Sequence, residues 1–209
     1  MSERLEKTPS PEDSLLIGTG NPGKEREFKG LLGGLKLGLS FLSDFEGVPE
    51  VAETGLTFEE NARLKARGYS RLLPGGWVAA EDSGLVVPAL GGDPGIYSAR
   101  YGGLKSEKER NRLLLERMSG CVEEERIAYY EAVIVLTFAG SEEAVFRGRV
   151  HGRIADAPNG DGGFGYDPIF YHPPSKKTFG NLSPLEKGRY SHRALAALAM
   201  KAYLEGETQ

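Results

Sequence analysis

The 209-residue chain is the length of one domain, or of one fold with two lobes, and can bury a proper core. Its 39% hydrophobic and 27% charged residues suit a soluble globular protein, and no stretch approaches the ~20 apolar residues of a membrane span. A net charge of −4 without a long basic run argues against polymeric nucleic acid, whose binding rests on many phosphate contacts, yet it permits a small phosphorylated ligand held by a few cations.

The opening MSERLEKTPSPEDS has no apolar stretch to serve as a signal peptide and reads as a disordered tail over 1–14, ahead of a single domain over 15–209. Leu15 to Ile17 form a short apolar strand, followed by Gly18-Thr19-Gly20-Asn21-Pro22-Gly23-Lys24. Asn21 is a good N-cap and Pro22 fits the first helical position; Phe28, Leu31 and Leu32 then recur at helical spacing. A helix start offers amide N–H groups and a partial positive charge to phosphate. Lys24, at the wrong end for the helix dipole, invites an anion. The same residues also suit a plain strand–turn–helix connection with a solvated lysine.

Leu37 to Phe45 reads as a second strand, ending in a polar loop with Glu46, Glu50 and Glu53. Thr57 and Glu60 form a capping box ahead of a helix to about Leu72, with Phe58, Ala62, Ala66, Tyr69 and Leu73 on its apolar face. Trp77 to Ala80 is a buried strand, and Glu81 and Asp82 stand where its apolar run stops, before Ser83 and Gly84. Carboxylates at the end of a buried strand are costly unless a positive partner meets them, and a hard cation such as Mg²⁺ is a natural one. A turn in which Asp82 and Ser83 bond their own backbone is the plainer reading.

Gly91 to Gly95 is a dense turn cluster feeding Ile96 to Tyr101, and Ser106 with Glu109 is a second capping box, before a helix through about Met118 with Leu113 and Leu114 inward. Ile127 to Phe138 and Ala144 to Ile154 are two long strands joined by the hairpin Gly140 to Glu143. Arg147, Arg149, His151 and Arg153 fall on one face of the second, most simply a solvated face. The single Cys121 allows no intrachain disulfide and fits a reducing cytoplasm; with only three histidines beside it, a structural zinc site is not expected.

Asn159 to Pro168 then packs four glycines around Phe164 and Tyr166. Such a loop either approaches something flat or folds tightly on itself. Phe164 could stack on a base, worth ~1–3 kcal/mol, and Asp167 could fix a strand end or accept from a base edge. Lys176, Lys177 and Lys187 follow, and Ser191-His192-Arg193 opens a last helix to about Leu204, with Leu195, Leu198, Ala199 and Ala202 inward.

Phosphates, metal and a flat ring together describe a nucleotide. The motifs TGNPGK, ETGLTFEENA, EDSG, LGGDPGIYSARY, GGFGYDPIF and SHR, in that order from Thr19 to Arg193, resemble those of the XTP/dITP diphosphatases, also called inosine triphosphate pyrophosphatases. The resemblance implies an α/β fold: an elongated mixed β-sheet flanked by helices, in two lobes with the active-site cleft between them. It implies Mg²⁺-dependent hydrolysis of the purine nucleoside triphosphates ITP, dITP and XTP to the monophosphate and pyrophosphate, by a homodimer. Carried over, Thr19, Gly20, Asn21, Pro22, Gly23 and Lys24 hold the triphosphate. Glu53 and Asp82 bind Mg²⁺, with Asp82 the proton acceptor, and Ser83, Phe164, Gly165, Tyr166, Asp167, Lys187, His192 and Arg193 surround the nucleotide. Glu81 stands where the family commonly has Asp, which leaves open whether it or Asp82 handles the water. Donors such as Arg193 would favour the O6 of hypoxanthine and xanthine over an adenine amino group. A non-catalytic nucleotide sensor and a nucleotidyltransferase are the rival readings, the first disfavoured by the acids at Glu53 and Asp82.

Overall fold

The computed structural model describes residues 10–206. Of the tail expected over 1–14, residues 1–9 lie outside the described residues. Pro11–Asp13 form one 3-10 turn and Ser14 already opens the first strand, so the fold starts ahead of Leu15.

Strand β1 (Ser14–Gly18) is buried at every position, as a parallel strand covered on both faces must be. β2 (Gly38–Phe41) and β3 (Trp77–Val86) flank it in parallel. Beyond β3 the pairing turns antiparallel through β4 (Ile127–Phe138), β5 (Ser141–Ile154), β6 (Phe170–His172) and β7 (Lys177–Thr178). The order β2-β1-β3-β4-β5-β6-β7 is the mixed sheet implied by the sequence motifs.

Strand alternation sends Leu15, Ile17 and Ala79 to one face. There they meet Phe28 and Leu32 of helix α1 (Pro22–Leu31) and its cap, and Ala196, Ala197 and Met200 of the last helix, α5 (His192–Leu204). Leu16, Val78 and Ala80 point the other way, toward Phe58, Ala62, Ala66 and Tyr69 of α2 (Phe58–Tyr69). The long strands β3, β4 and β5 carry the sheet into a further core, where Leu85, Tyr130, Val150, Phe170 and Phe179 pack with Leu114 of α3 (Glu107–Arg117). A short helix, α4 (Pro184–Tyr190), precedes α5.

Several elements differ from their sequence reading, each for a local reason. β2 stops at Phe41 instead of Phe45 because the Asp44 carboxylate accepts from the Phe41 N–H at 2.8 Å and starts a 3-10 turn. α2 ends at Tyr69, and a 3-10 turn carries the chain to Leu72. Thr57 caps α2 by accepting from the Glu60 N–H, but the Glu60 carboxylate takes the Leu56 N–H and not that of Thr57, so the box is half formed. Ser106 makes no side-chain cap bond at all. The β4–β5 connection is tighter than expected: β5 starts at Ser141, and Ala139 and Gly140 both adopt positive φ (47° and 85°), as a two-residue hairpin turn needs.

Two differences bear on the site. β3 does not stop at Ala80 but runs on through Glu81 and Asp82, paired with Ile134 and Val133 of β4. And α5 turns inward not Leu195, Leu198, Ala199 and Ala202 but His192, Arg193, Ala196, Ala197 and Met200, leaving Leu195 and Leu198 46% and 45% exposed. The helix backbone lies close on the sheet there, since at Gly148 of β5 any Cβ would sit 2.0 Å from the His192 carbonyl oxygen. Arg193 is held inside by its ion pairs with Glu81 and Glu27. The basic face of β5 stays exposed, with Arg147, Arg149 and Arg153 paired to Glu59, Glu131 and Glu123, as the plain reading of that face expects.

Candidate active site

β1 ends at Gly18, and the chain turns through Thr19 and Gly20 into α1. The Asn21 Oδ1 accepts from the Gly23 and Lys24 N–H groups at 2.8 and 3.2 Å, with Pro22 in the first helical turn, and the Thr19 hydroxyl accepts from the Asn21 N–H at 3.2 Å. The cap takes amides that an anion would otherwise use. What the helix tip presents is its dipole and the ammonium of Lys24, whose pKa burial lowers against the raising effect of Glu81.

Because successive strand residues face opposite sides, Glu81 and Asp82 lead into two different networks. Glu81 is 2% exposed. It accepts a bidentate pair of bonds from Arg193, Nε at 2.6 Å and Nη2 at 2.7 Å, with the Lys24 Nζ at 3.5 Å. Burial works to raise its pKa, but Arg193 and Lys24 outweigh it and hold the carboxyl far below the usual range. Glu81 is thus a counter-ion to Arg193 and Lys24 at the cleft wall.

Asp82 accepts from the Lys65 Nζ at 2.8 Å and from the Asn61 Nδ2 at 3.4 Å. The same ammonium donates to Glu53 at 2.9 Å, and the Arg100 Nη1 reaches Glu53 at 3.2 Å. Burial pushes the Asp82 carboxyl up despite Lys65. Glu53, less buried, lies below its ordinary value, because Lys65 and Arg100 overcome its desolvation. Lys65 itself is raised: burial lowers it, and the two carboxylates more than reverse that.

An ammonium bridging Glu53 and Asp82 is a cation already drawn to the place where a metal was expected. Among the described residues no group of three or more His, Cys, Asp or Glu side chains gathers to hold an ion. Two carboxylates are nonetheless what Mg²⁺ uses when substrate phosphates and water supply the rest of its octahedron, so the donor set fits that ion in company with a polyphosphate.

At the other end lies the Gly-aromatic loop. The Phe164 N–H donates to the Asp167 Oδ2 at 2.8 Å. Gly163 at φ 72° has no room for a side chain, since a Cβ would meet that same oxygen at 2.0 Å. Asp167 also accepts from Lys187, which donates to Glu27 at 2.6 Å, and Glu27 in turn accepts from Arg193. The Lys187 Nζ and Arg193 Cζ lie 4.7 and 5.5 Å from the centre of the Phe164 ring, which rests against Gly23. His192 stacks on Tyr130 with ring centres 4.6 Å apart and planes 6° from parallel. Its Nδ1 is buried without a partner among the described residues, and burial keeps the ring neutral. From the far wall, Asn111 donates to the Gly165 carbonyl at 3.1 Å and the Tyr166 hydroxyl to the Ser98 carbonyl at 3.0 Å.

One cleft of about 620 Å³ collects these groups. Every residue that the motifs assign to the site lines it except Gly23, which sits behind the Phe164 ring. One expectation needs correction. Arg193 does not offer a free fork of donors to a base: its Nε, Nη1 and Nη2 are committed to Glu81, Glu27 and the Ser83 hydroxyl. Sequence reasoning missed Lys65, Asn61 and Glu27. The first two had a visible signal, since a lysine and an asparagine stand on the inward stripe of α2 with Phe58, Ala62, Ala66 and Tyr69. Glu27 had a fainter one, lying one helical turn after Lys24.

The family model of the Ham1 family matches residues 15–203. A dITP/XTP pyrophosphatase of Thermus thermophilus is 49% identical over 193 residues, 92% of each chain. That of Geobacillus kaustophilus is 47% identical over 87% of this chain and 89% of its own. Among solved structures, the Staphylococcus aureus Ham1 protein superposes with a TM-score of 0.81 at 42% identity, covering 93% of this chain and all of that one. A HAM1 protein from Coxiella burnetii gives 0.82 at 36% identity, covering 92% and 98%. With a match along nearly its whole described length and relatives near half identical, the chain belongs to the Ham1 family.

Proposed function

We propose that the chain hydrolyses ITP, dITP and XTP to the nucleoside monophosphate and pyrophosphate, with Mg²⁺ as cofactor. The observation that carries this reading is the convergence in one cleft of the Glu53–Lys65–Asp82 cluster, the Lys24 helix tip and the Phe164 ring beneath two cations. The relatives named dITP/XTP pyrophosphatase support the choice of substrate.

Phosphoanhydride hydrolysis asks the protein for position and charge neutralisation more than for covalent chemistry. Water attacks the α-phosphorus, and the bond from that phosphorus to the oxygen bridging to the β-phosphate breaks. Asp82, with its carboxyl raised by burial, orients the water and accepts its proton. Held by Glu53 and Asp82, Mg²⁺ would supply neutralisation of the charge developing on the phosphates. Lys24 and Lys65 stabilise the pyrophosphate as it leaves. Glu81 keeps Arg193 and Lys24 in place.

The base lies on Phe164, and its O6 meets the donor that Lys187 has left over. Lys187 carries three N–H donors, of which Asp167 and Glu27 occupy two, and Arg193 holds the wall positive. An adenine amino group there would face another donor. ITP and XTP should therefore turn over at least about 10²-fold faster than ATP, with pyrophosphate released by water alone and no turnover once Mg²⁺ is chelated. Equal rates on ITP, XTP, GTP and ATP would sink this reading, and a requirement for a sugar-phosphate acceptor would favour a nucleotidyltransferase.

The working form is a homodimer acting in the cytoplasm. No described helix is long and apolar enough to cross a membrane. Sedimentation equilibrium should return twice the 22.7 kDa chain mass, and a monomer at micromolar concentration would contradict it.

A further inference from the structure

Glu53 is held by two cations of different character. Lys65 is buried and shared with Asp82. Arg100 comes from the 3-10 segment Gly95–Gly103 on the opposite wall, and its side chain is 46% exposed. Its Nη1 touches Glu53 at 3.2 Å, and its guanidinium lies 5.3 Å from the centre of the exposed Tyr97 ring. The two residues before it, Ser98 and Ala99, line the cleft. Arg100 itself does not line the cleft but stands beside it on a long side chain that reaches Glu53, which does. The ion pair that tethers it is half open to water, and such a pair costs little to break.

The charges around Glu53 limit what this pair can do. A divalent ion placed on Glu53 and Asp82 would repel the guanidinium now bonded to Glu53, and a triphosphate bound with it brings several negative charges to within reach of the same arm. A guanidinium fork matches phosphate oxygens in a bidentate way that a point charge does not.

We propose that Arg100 is an exchange residue: it pairs with Glu53 while the cleft lacks metal and transfers to the phosphate chain when metal and nucleotide enter together. The inference rests on the triphosphate reading above. Arg100 then acts in two opposite senses, as a competitor of the metal for Glu53 and as a holder of the substrate. A surface ion pair without function would do neither.

The test uses the full chain with Arg100→Gln and Arg100→Lys. Mn²⁺ binding without nucleotide, followed by electron paramagnetic resonance, should tighten about threefold in Arg100→Gln, because an exposed competitor has been removed. The KM for ITP at saturating Mg²⁺ should rise about tenfold while kcat stays within twofold, the loss of a charge-assisted contact to substrate. Arg100→Lys should fall between wild type and Arg100→Gln in KM. The thermal unfolding midpoint should not move, since the side chain packs against no core. Unchanged Mn²⁺ affinity, or an unchanged KM, overturns the exchange. The Mn²⁺ arm contains no nucleotide, so it judges Arg100 even if wild-type protein releases no pyrophosphate from ITP, a result that would instead overturn the proposed function.

Discussion

Asp82→Asn is expected to lower kcat on ITP by about 10³-fold, within the range that a positioned acid or base contributes, while the protein stays folded. The substitution keeps shape and one hydrogen-bond acceptor for Lys65, and it removes the charge and the proton acceptor. Lys65 keeps its other partner, Glu53, so no buried cation is stranded. Burial already disfavours the charged Asp82 carboxyl, and a neutral amide in its place therefore costs the fold little. Steady-state turnover, read beside the thermal unfolding midpoint, checks both halves. A kcat within tenfold of wild type would remove Asp82 from the mechanism. The carboxyl gives a second readout in the metal-free protein: burial holds it above the ordinary aspartate range, and that titration, followed by NMR, should vanish in the variant.

The second large effect is on stability. Arg193→Met should destabilise the chain by about 3–5 kcal/mol, the cost of removing one partner from a buried ion-pair network. For a chain of this size that corresponds to a fall in Tm of roughly 6–20 °C. Arg193 is 1% exposed and neutralises Glu81 and Glu27 together. Methionine fills much of the volume but removes the bidentate partner of Glu81, leaving it only Lys24 at 3.5 Å, and takes one of the two cations from Glu27, which keeps Lys187. The effect has a pH signature. The folded pKa of Glu81 is depressed, so its contribution is present above the unfolded value of about 4.3. It is lost as pH falls from there through the folded value. Wild type should exceed Arg193→Met by the full margin at pH 7, and the gap should narrow below about pH 4. Equal melting at pH 7 would show that the Glu81–Arg193 pair does not hold β3 to α5. Adding Glu81→Gln to Arg193→Met should recover part of the loss, because it removes the charge that has lost its bidentate partner.

How much of this was legible beforehand varied by residue. The Asn21 cap with Pro22 behind it, the inward Phe28, the α2 stripe and the tight loop around Phe164 all follow from contacts within a few positions along the chain. Phe164 and Asp167 illustrate the limit of such contacts. Their mutual hydrogen bond is local, but the Lys187 and Glu27 that complete the cluster come from two separate helices. The α5 misreading has the same origin. Leucines at 195 and 198 suggested the buried face, yet the carboxylates that hold Arg193 inside, Glu81 and Glu27, come from β3 and α1, far away in sequence.

Residue order alone placed most of the strands and helices, the cap at Asn21 and the lysine at the first helix tip, while the mixed α/β architecture and the pairing of the acids at 53 and 82 entered as what the resemblance of the motif set implies. Spacing and capping act over short separations, and they survive whatever the rest of the chain does. Packing decided the division of labour between Glu81 and Asp82. Two adjacent carboxylates look equivalent in sequence, but on one strand they face opposite sides, so Arg193 claims the first and Lys65 the second. Which cation a buried carboxylate meets depends on where distant helices dock against the sheet, and no local rule along the chain carries that information.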